Sequence, residues 1–362
     1  MKKILCLIDT LGIRGGAERQ MIGLVQLLRQ RGYNTTVAVY HDNPALPYIK
    51  EHYGIEPLII KVKSSQWSKL KAVRHHIKQE GGYDSVITYK GGPNSIGCLL
   101  KLMGMKFRLI VSERNTNQQI SHYDKLQFTL YRKADFIVPN SQSQANFIES
   151  NFPNLKRKIR VITNFTDTTH FIPKPISRNG KIIVLTTARI AKQKNTLRYL
   201  DAIALLRDKG VDNIHFDWYG DVQHGEEAYG EEVKRKLSEL QLEDIITFHP
   251  ATTNIAEKYQ QCDIFCLPSN FEGYPNVVCE AMSCGKPVVC SRVCDIPVIV
   301  RENENGLMFD PSDVNDIADK LLKMVKMPKG QQNEWGQKGR EIAETQFSRD
   351  AFVDKYIRLI EE

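Results

Sequence analysis

Short apolar, β-branched runs recur along the chain, and between them apolar residues return at helical spacing. In the first half, residues 4–8, 35–40, 55–60, 85–89, 108–112 and 136–139 read as strands. Between the first two, Met21, Leu24, Val25 and Leu28 mark one helix face, with Gly32 as a C-cap. Strands that alternate with helices lie parallel, because the connecting helix must carry the chain back along the sheet. The pattern lapses over residues 165–180, where Pro173, Pro175 and Gly180 interrupt it, and then begins again. Strands are predicted at 182–186, 214–219, 245–249 and 263–267, with 288–291 as the last of the set. Helices are predicted at 196–209 and 226–240, through Val314, Ile317, Leu321, Leu322 and Val325, and through Ala351, Val353, Tyr356, Ile357 and Ile360. The expected class is α/β, with two Rossmann-like domains, 1–168 and 181–345, joined by a linker at 169–180 and facing each other across a cleft.

Charge divides at the same place. Residues 1–170 hold 25 Lys+Arg against 12 Asp+Glu, a net of +13; the remainder holds 25 against 30, a net of −5. Such a break suggests two bodies with different partners. With 41% hydrophobic and 25% charged residues, disorder and fibrous structure are excluded. No apolar run reaches the ~18 residues of a spanning helix. The N-terminal run from Ile4 ends at Asp9, shorter than a signal peptide's apolar region of ~7–15 residues. Eight cysteines, mostly within apolar runs, read as reduced core thiols of a cytosolic protein; their spacing is not that of a zinc knuckle, and no metal is expected.

In doubly wound domains ligands collect beyond the carboxyl ends of the strands, and four segments fall there. The first, Asp9 to Arg19, carries Gly15-Gly16 ahead of a helix: either a cradle whose backbone N–H groups meet an anion, or a plain turn. It matches neither the dinucleotide nor the Walker pattern, although Asp42 near the second strand's end leaves a nicotinamide site open on that residue. The second is Arg189…Lys194-Asn195, two cations able to hold a diphosphate leaving group, or a solvated basic turn. The third, Pro268 to Met282, leaves a strand, turns at Gly273 and Pro275, and enters a helix. It places Glu272 in the loop, Glu280 one turn into the helix, and the N–H groups of Asn276 and Val277 at its start. Two carboxylates beside an anion site are explained by ribose and sugar hydroxyls, which donate to them. The fourth is Ser112-Glu113-Arg114-Asn115, with Lys90-Gly91-Gly92-Pro93-Asn94 as a further strand-end loop.

Taken together, Gly15-Gly16-Ala17-Glu18, Arg189…Lys194-Asn195, Glu272-x7-Glu280 and Gly285-Lys286-Pro287-Val288-Val289 resemble the retaining family-four (group 1) glycosyltransferases of the GT-B fold, over nearly the whole chain. Asn305-Gly306-Leu307 and Phe347-Ser348 with its final helix are similar to that family too. The resemblance implies a nucleotide-sugar donor, a uridine one by family habit, held mainly by the second domain. Arg189 and Lys194 would grip the diphosphate and act in catalysis with Glu272, which faces the sugar. Glu280 would hold the ribose. Gly15, Gly16, Gly273, Tyr274, Asn276 and Val277 would line the donor, and Pro250 would mark the turn beneath the base. The two cations would replace a metal, so no cofactor is expected. The helix within 346–362 would pack back on the first domain. Ser-Glu-Arg-Asn resembles a subgroup acting on polyprenyl-diphosphate-linked glycans. Glu113 would then act at the transferred sugar, and Arg114, Asn115, Lys90 and Asn94 would lie on the acceptor side; the alternative is a strand-end salt bridge.

Lys61, Lys63, Lys69, Lys71, Arg74 and Lys78 surround Trp67, Leu70, Val73 and Ile77 at helical spacing. Lys101 and Lys106 flank Met103 and Met105, and Lys156-Arg157-Lys158 precedes Arg160. Basic amphipathic helices of this kind suit an anionic membrane surface; the alternative is a solvated face on a core helix. No nucleic-acid module is present, so nucleic acid is not expected as a partner. The expected activity is transfer of a hexose or N-acetylhexosamine to a lipid-linked or saccharide acceptor, in the cytoplasm or at the inner face of the membrane. The alternatives are a GT-B-type nucleotide-sugar epimerase and a non-catalytic nucleotide-sugar or polyanion binder.

Overall fold

The computed structural model describes the 362-residue chain apart from residues 13–14, 63–64, 115–118 and 177–179. It divides into two compact units, Met1–Phe165 with Arg349–Glu362, and Thr166–Ser348.

The first unit is a parallel sheet of β1 (Lys3–Ile8), β2 (Asn34–Val39), β3 (Leu58–Ile59), β4 (Ser85–Tyr89), β5 (Arg108–Glu113) and β6 (Phe136–Pro139). Its spatial order is β3-β2-β1-β4-β5-β6. Six helices connect or follow these strands: α1 (Gly16–Gln30), α2 (Leu46–Tyr53), α3 (Gln66–Gln79), α4 (Gly91–Leu102), α5 (His122–Leu130) and α6 (Gln142–Asn151). Met21, Leu24, Val25 and Leu28 of α1 bury in the core on one face. Leu70, Val73 and Ile77 of α3 join Ile96 and Leu100 of α4 and Phe128 of α5 on the other. The third strand is far shorter than the expected 55–60. Gly54 ends α2 in the left-handed conformation, at φ 64°, and Pro57 has no N–H to donate, so only Leu58 and Ile59 pair.

The second unit repeats the plan with β7 (Ile182–Thr187), β8 (Ile214–Tyr219), β9 (Ile246–His249), β10 (Ile264–Leu267), β11 (Val288–Ser291) and β12 (Gly306–Phe309). The order is β12-β11-β10-β7-β8-β9, again all parallel. Its helices are α7 (Thr196–Asp208), α8 (Glu227–Glu239), α9 (Ile255–Gln261), α10 (Asn276–Ser283), α11 (Ile296–Ile299), α12 (Val314–Val325) and α13 (Lys329–Gln346). Two of these correct the sequence expectation. The strand at 288–291 does not close the set, because β12 pairs beyond it, and α13 fills a stretch with no clear apolar period.

The last helix, α14 (Arg349–Glu361), returns to the first unit and buries Phe352, Val353, Tyr356, Leu359 and Ile360 in its core. The boundary falls at Phe165 rather than 168. Phe165 packs at a tilt against Phe352, with ring centroids 5.0 Å apart, and exchanges two hydrogen bonds with the Gln20 side chain. The Thr166 N–H donates instead to Phe347 O in the second unit.

At the ends of β4 and β5 the structure corrects three assignments. Glu113 is 3% exposed, and its Oε1 accepts hydrogen bonds from Tyr131, from Asn94 Nδ2 at 2.9 Å and from Gln127 Nε2 at 3.1 Å. It forms no strand-end salt bridge among the described residues, and against the expectation of an open carboxylate at the transferred sugar it is enclosed by these three donors. Asn94 is fully buried in the same network, with Thr88 Oγ1 donating to it at 2.6 Å, and lines no acceptor pocket. Arg114 turns inward as well. Its guanidinium donates to Asn164 Oδ1 and to the hydroxyls of Tyr89 and Tyr356, and lies 4.2 Å over the Tyr89 ring, clamping α14 to the strand ends.

Burial raises the Glu113 pKa, against the opposing effect of its three donors. A carboxyl raised above its unfolded value stabilises the fold below that unfolded value, and the contribution is lost as pH rises through the folded one. Glu113→Gln therefore gains stability relative to wild type as pH rises above the ordinary carboxyl range, as denaturant titrations across that rise would read.

Candidate active site

Each sheet reverses its order beside its first strand. In the second unit the chain runs from β7 out to β8 and β9, then crosses back to lay β10 against the opposite edge of β7. Loops leaving neighbouring strands at such a point diverge and open a crevice. The Arg189–Lys194 loop follows β7, and the Glu272 loop follows β10, so the two strongest motifs meet there.

They meet through several hydrogen bonds and an ion pair. Asn270 N–H donates to Gln193 O at 2.8 Å, Asn270 Nδ2 to Lys192 O at 2.8 Å, and Gln193 Nε2 to Phe271 O at 3.0 Å. Lys194 Nζ pairs with Glu272 Oε1, and Ser269 Oγ donates to the same oxygen at 2.6 Å. Both partners are largely buried. Lys194 is thus not a solvated basic turn. Its charge is countered by the carboxylate expected to face the sugar, and the two act as one unit.

Arg189 is the opposite case. The flanking Ala188 N–H and Ile190 N–H donate to Tyr219 O at 3.0 Å and Asp221 O at 2.9 Å, tying its backbone to the end of β8. Gly220 makes this possible: at φ 154° an added Cβ would stand 2.0 Å from Ala188 O. The Arg189 side chain is exposed and makes no hydrogen bond or ion pair among the described residues. A fixed backbone with an unpaired guanidinium is a ready anion ligand.

Glu280 lies on α10 and is buried, accepting from Tyr259 OH at 3.0 Å. Tyr259 OH also pairs with Thr187 Oγ1 at 2.7 Å, at the end of β7. Burial and then the Glu280 charge hold the Tyr259 phenol well above its usual pKa, so it remains a neutral donor. Gly273 is half-buried, and Asn276 and Val277 are half-buried at the start of α10. The Tyr274 side chain is buried edge-on against Phe347 at 5.8 Å, leaving backbone as its contribution. Pro250 is exposed just past the edge strand β9. Sequence reasoning missed Ser269 and Tyr259. Ser269 sits three residues before Glu272 and was open to notice; Tyr259 is brought in by tertiary packing alone.

In the first unit, Gly15 is the N-cap of α1, and Glu18 folds back over it. An added Cβ at Gly15 would lie 1.8 Å from Glu18 Oε2. Glu18 Oε1 pairs with Lys90 Nζ at 2.6 Å, joining the segments that follow β1 and β4. Lys90 is therefore neutralised within its own unit, and Gly16 is the first residue of α1. Asn115 lies outside the described residues. No cluster of three or more His, Cys, Asp or Glu side chains is placed to hold a metal among the described residues. A cavity of about 710 Å³ in the second unit lies away from the paired loops, between residues 170–176 and α9.

The family model for glycosyl transferases group 1 matches residues 167–342, and that for glycosyltransferase family 4 matches residues 14–170. The chain is 25% identical to the N-acetylgalactosamine-N,N'-diacetylbacillosaminyl-diphospho-undecaprenol 4-alpha-N-acetylgalactosaminyltransferase of Campylobacter jejuni, over 99% of this chain and all of that one. It is 24% identical to a second Campylobacter jejuni enzyme, a GalNAc-alpha-(1->4)-GalNAc-alpha-(1->3)-diNAcBac-PP-undecaprenol alpha-1,4-N-acetyl-D-galactosaminyltransferase, over 89% of this chain and 88% of that one. Among solved structures it superposes on Anabaena HepE in complex with UDP with a TM-score of 0.86 and 20% identity, over the full length of both. With these matches joining both sheets and both motif sets, the chain belongs to the group 1, family-four glycosyltransferases of the GT-B fold.

Proposed function

We propose that this chain is a retaining, metal-independent transferase that moves a hexose or N-acetylhexosamine from a UDP-sugar to a polyprenyl-diphosphate-linked glycan. The observation that carries the proposal is the Lys194–Glu272 pair at the β7/β10 crevice, with the unpaired Arg189 on the same loop as Lys194. Arg189 meets the diphosphate from the β8 side and stabilises the negative charge that develops on it as the sugar departs. Lys194, held by Glu272, supplies the second positive charge; Glu272 in turn accepts hydroxyl hydrogen bonds from the sugar. Glu280, oriented by Tyr259, accepts from the ribose. The lipid-linked acceptor is supported by the two undecaprenol-dependent relatives.

In this reading the enzyme works as a peripheral protein on the cytoplasmic face of the membrane. No described helix is long and apolar enough to cross a bilayer. Successive helices α3, α4 and α5 expose Trp67, Leu102, Met103, Tyr123 and Leu126, with Lys71, Lys78, Lys106 and Lys125 among the basic residues on the same segments. Not every expected cation is available. Lys101 pairs with Asp135 at 2.6 Å, and Lys158 donates to Arg132 O and Ala134 O.

Glu272→Gln keeps an acceptor for Ser269 but loses the charge, and transfer falls at least about a hundredfold while UDP affinity, by calorimetry, stays within about threefold. Lys194→Ala leaves a buried carboxylate uncompensated, so it weakens UDP binding and lowers unfolding free energy by about 3 kcal/mol. Wild-type transfer by both variants would sink the assignment. For the membrane, sedimentation with phosphatidylglycerol vesicles should decline steadily with added salt and with Trp67→Ser; equal binding to neutral vesicles refutes the docking face.

A further inference from the structure

The first sheet has a switch point of its own, between β1 and β4, and a second polar cluster sits there, separate from the Glu18–Lys90 pair. Asp9 is the first residue past β1. Its main-chain oxygen accepts from Tyr40 N–H at 3.0 Å and His41 N–H at 3.3 Å, so its backbone is fixed while its side chain remains about one-third exposed. Gly92, at the start of α4, leaves the approach open: a Cβ there would come within 3.3 Å of Asp9 Oδ1.

One buried group near Asp9, the Tyr40 hydroxyl, lacks the partner that burial normally demands, and a second, Lys69, meets only the Asp9 carboxylate and an aromatic face among the described residues. Lys69, on α3, is 9% exposed, not the solvated cation its sequence position suggests. Its ammonium stands 3.5 Å from Asp9 Oδ1 and 4.7 Å from the Tyr40 ring centroid, and makes no hydrogen bond among the described residues. The Tyr40 hydroxyl is buried with no hydrogen-bond partner. A buried ammonium has three donors to place and a buried phenol one more, so the cluster holds donors in excess beside a single carboxylate.

We infer that Asp9, Lys69 and Tyr40 form a saccharide subsite that binds hydroxyls of the acceptor glycan. A sugar hydroxyl can accept from Lys69 or Tyr40 and donate to Asp9 at once, which satisfies all three groups. A phosphate would satisfy the donors but meet the Asp9 carboxylate, so the terminal sugars of the acceptor fit here and its diphosphate does not. The inference rests on the transferase reading above, in which the acceptor is a glycan. It adds a recognition element in the first unit that uses none of the donor residues.

The test uses the full chain with saturating UDP and the methyl α-glycosides of N-acetylgalactosamine, N-acetylglucosamine, galactose and glucose as probes, read by saturation-transfer NMR. At least one glycoside binds wild type with a Kd in the millimolar range. Lys69→Met and Asp9→Asn weaken that binding at least about fivefold, with UDP affinity unchanged. Tyr40→Phe weakens it as well while Tm stays equal to wild type or rises, because the substitution removes an unpaired hydroxyl. A purely structural cluster gives the reverse pattern: lowered Tm in Lys69→Met and Asp9→Asn with glycoside binding intact. That outcome overturns the subsite, and so does absence of glycoside binding to wild type at about 50 mM. Failure of UDP itself to bind would instead count against the donor reading.

Discussion

The pairing of β7 with both β8 and β10, and of β1 with both β2 and β4, is the constraint on which the rest depends. Right-handed crossovers whose helices all cover the same face of a parallel sheet extend it in only one direction. To use both edges of its first strand, the chain must cross back once, and the loops on either side of that crossing part. Every site discussed above grows from those partings. A Lys–Glu pair spans each of them, Glu18–Lys90 in one unit and Lys194–Glu272 in the other. The polarity is reversed: the acid follows the first strand of the sheet in one unit and the base does in the other.

The donor motifs were legible because their chemistry is carried by residues close in sequence to strand ends, and a strand end is where a parallel sheet presents side chains to ligand. Glu272 and Lys194 could be placed at the same crevice without coordinates. That they neutralise each other could not, since the pairing crosses 78 residues of chain. Glu113 shows the complementary limit. A carboxylate at a strand end reads as functional, but whether it faces outward depends on neighbours such as Tyr131 and Gln127 that lie on a helix and a turn beyond it. The helix α13 was unreadable for another reason. Its glycines break the apolar period, and at Gly336 the packing requires that break, because an added Cβ would stand 2.1 Å from Gly285 O.

Charge needs a similar correction. The +13 of the first half suggested a broad basic face, yet Lys69, Lys90 and Lys101 are each held by a carboxylate of the same unit, and Lys158 by backbone carbonyls. Net charge counts these residues; the field at a membrane or ligand does so only weakly. What remains to act at a distance is a smaller set on α3 and in the turns after α4 and α6.

The clamp from Arg114 to Tyr356 has a consequence for the order in which the molecule is made. Phe352, Val353 and Tyr356 complete the hydrophobic core of the unit that begins at residue 1. On a ribosome, that unit's sheet emerges early yet waits for the whole of Thr166–Ser348 before its last helix arrives. The second unit, Thr166–Ser348, is uninterrupted and can close first. Until then the surface meant for α14 is an apolar groove on a nascent chain.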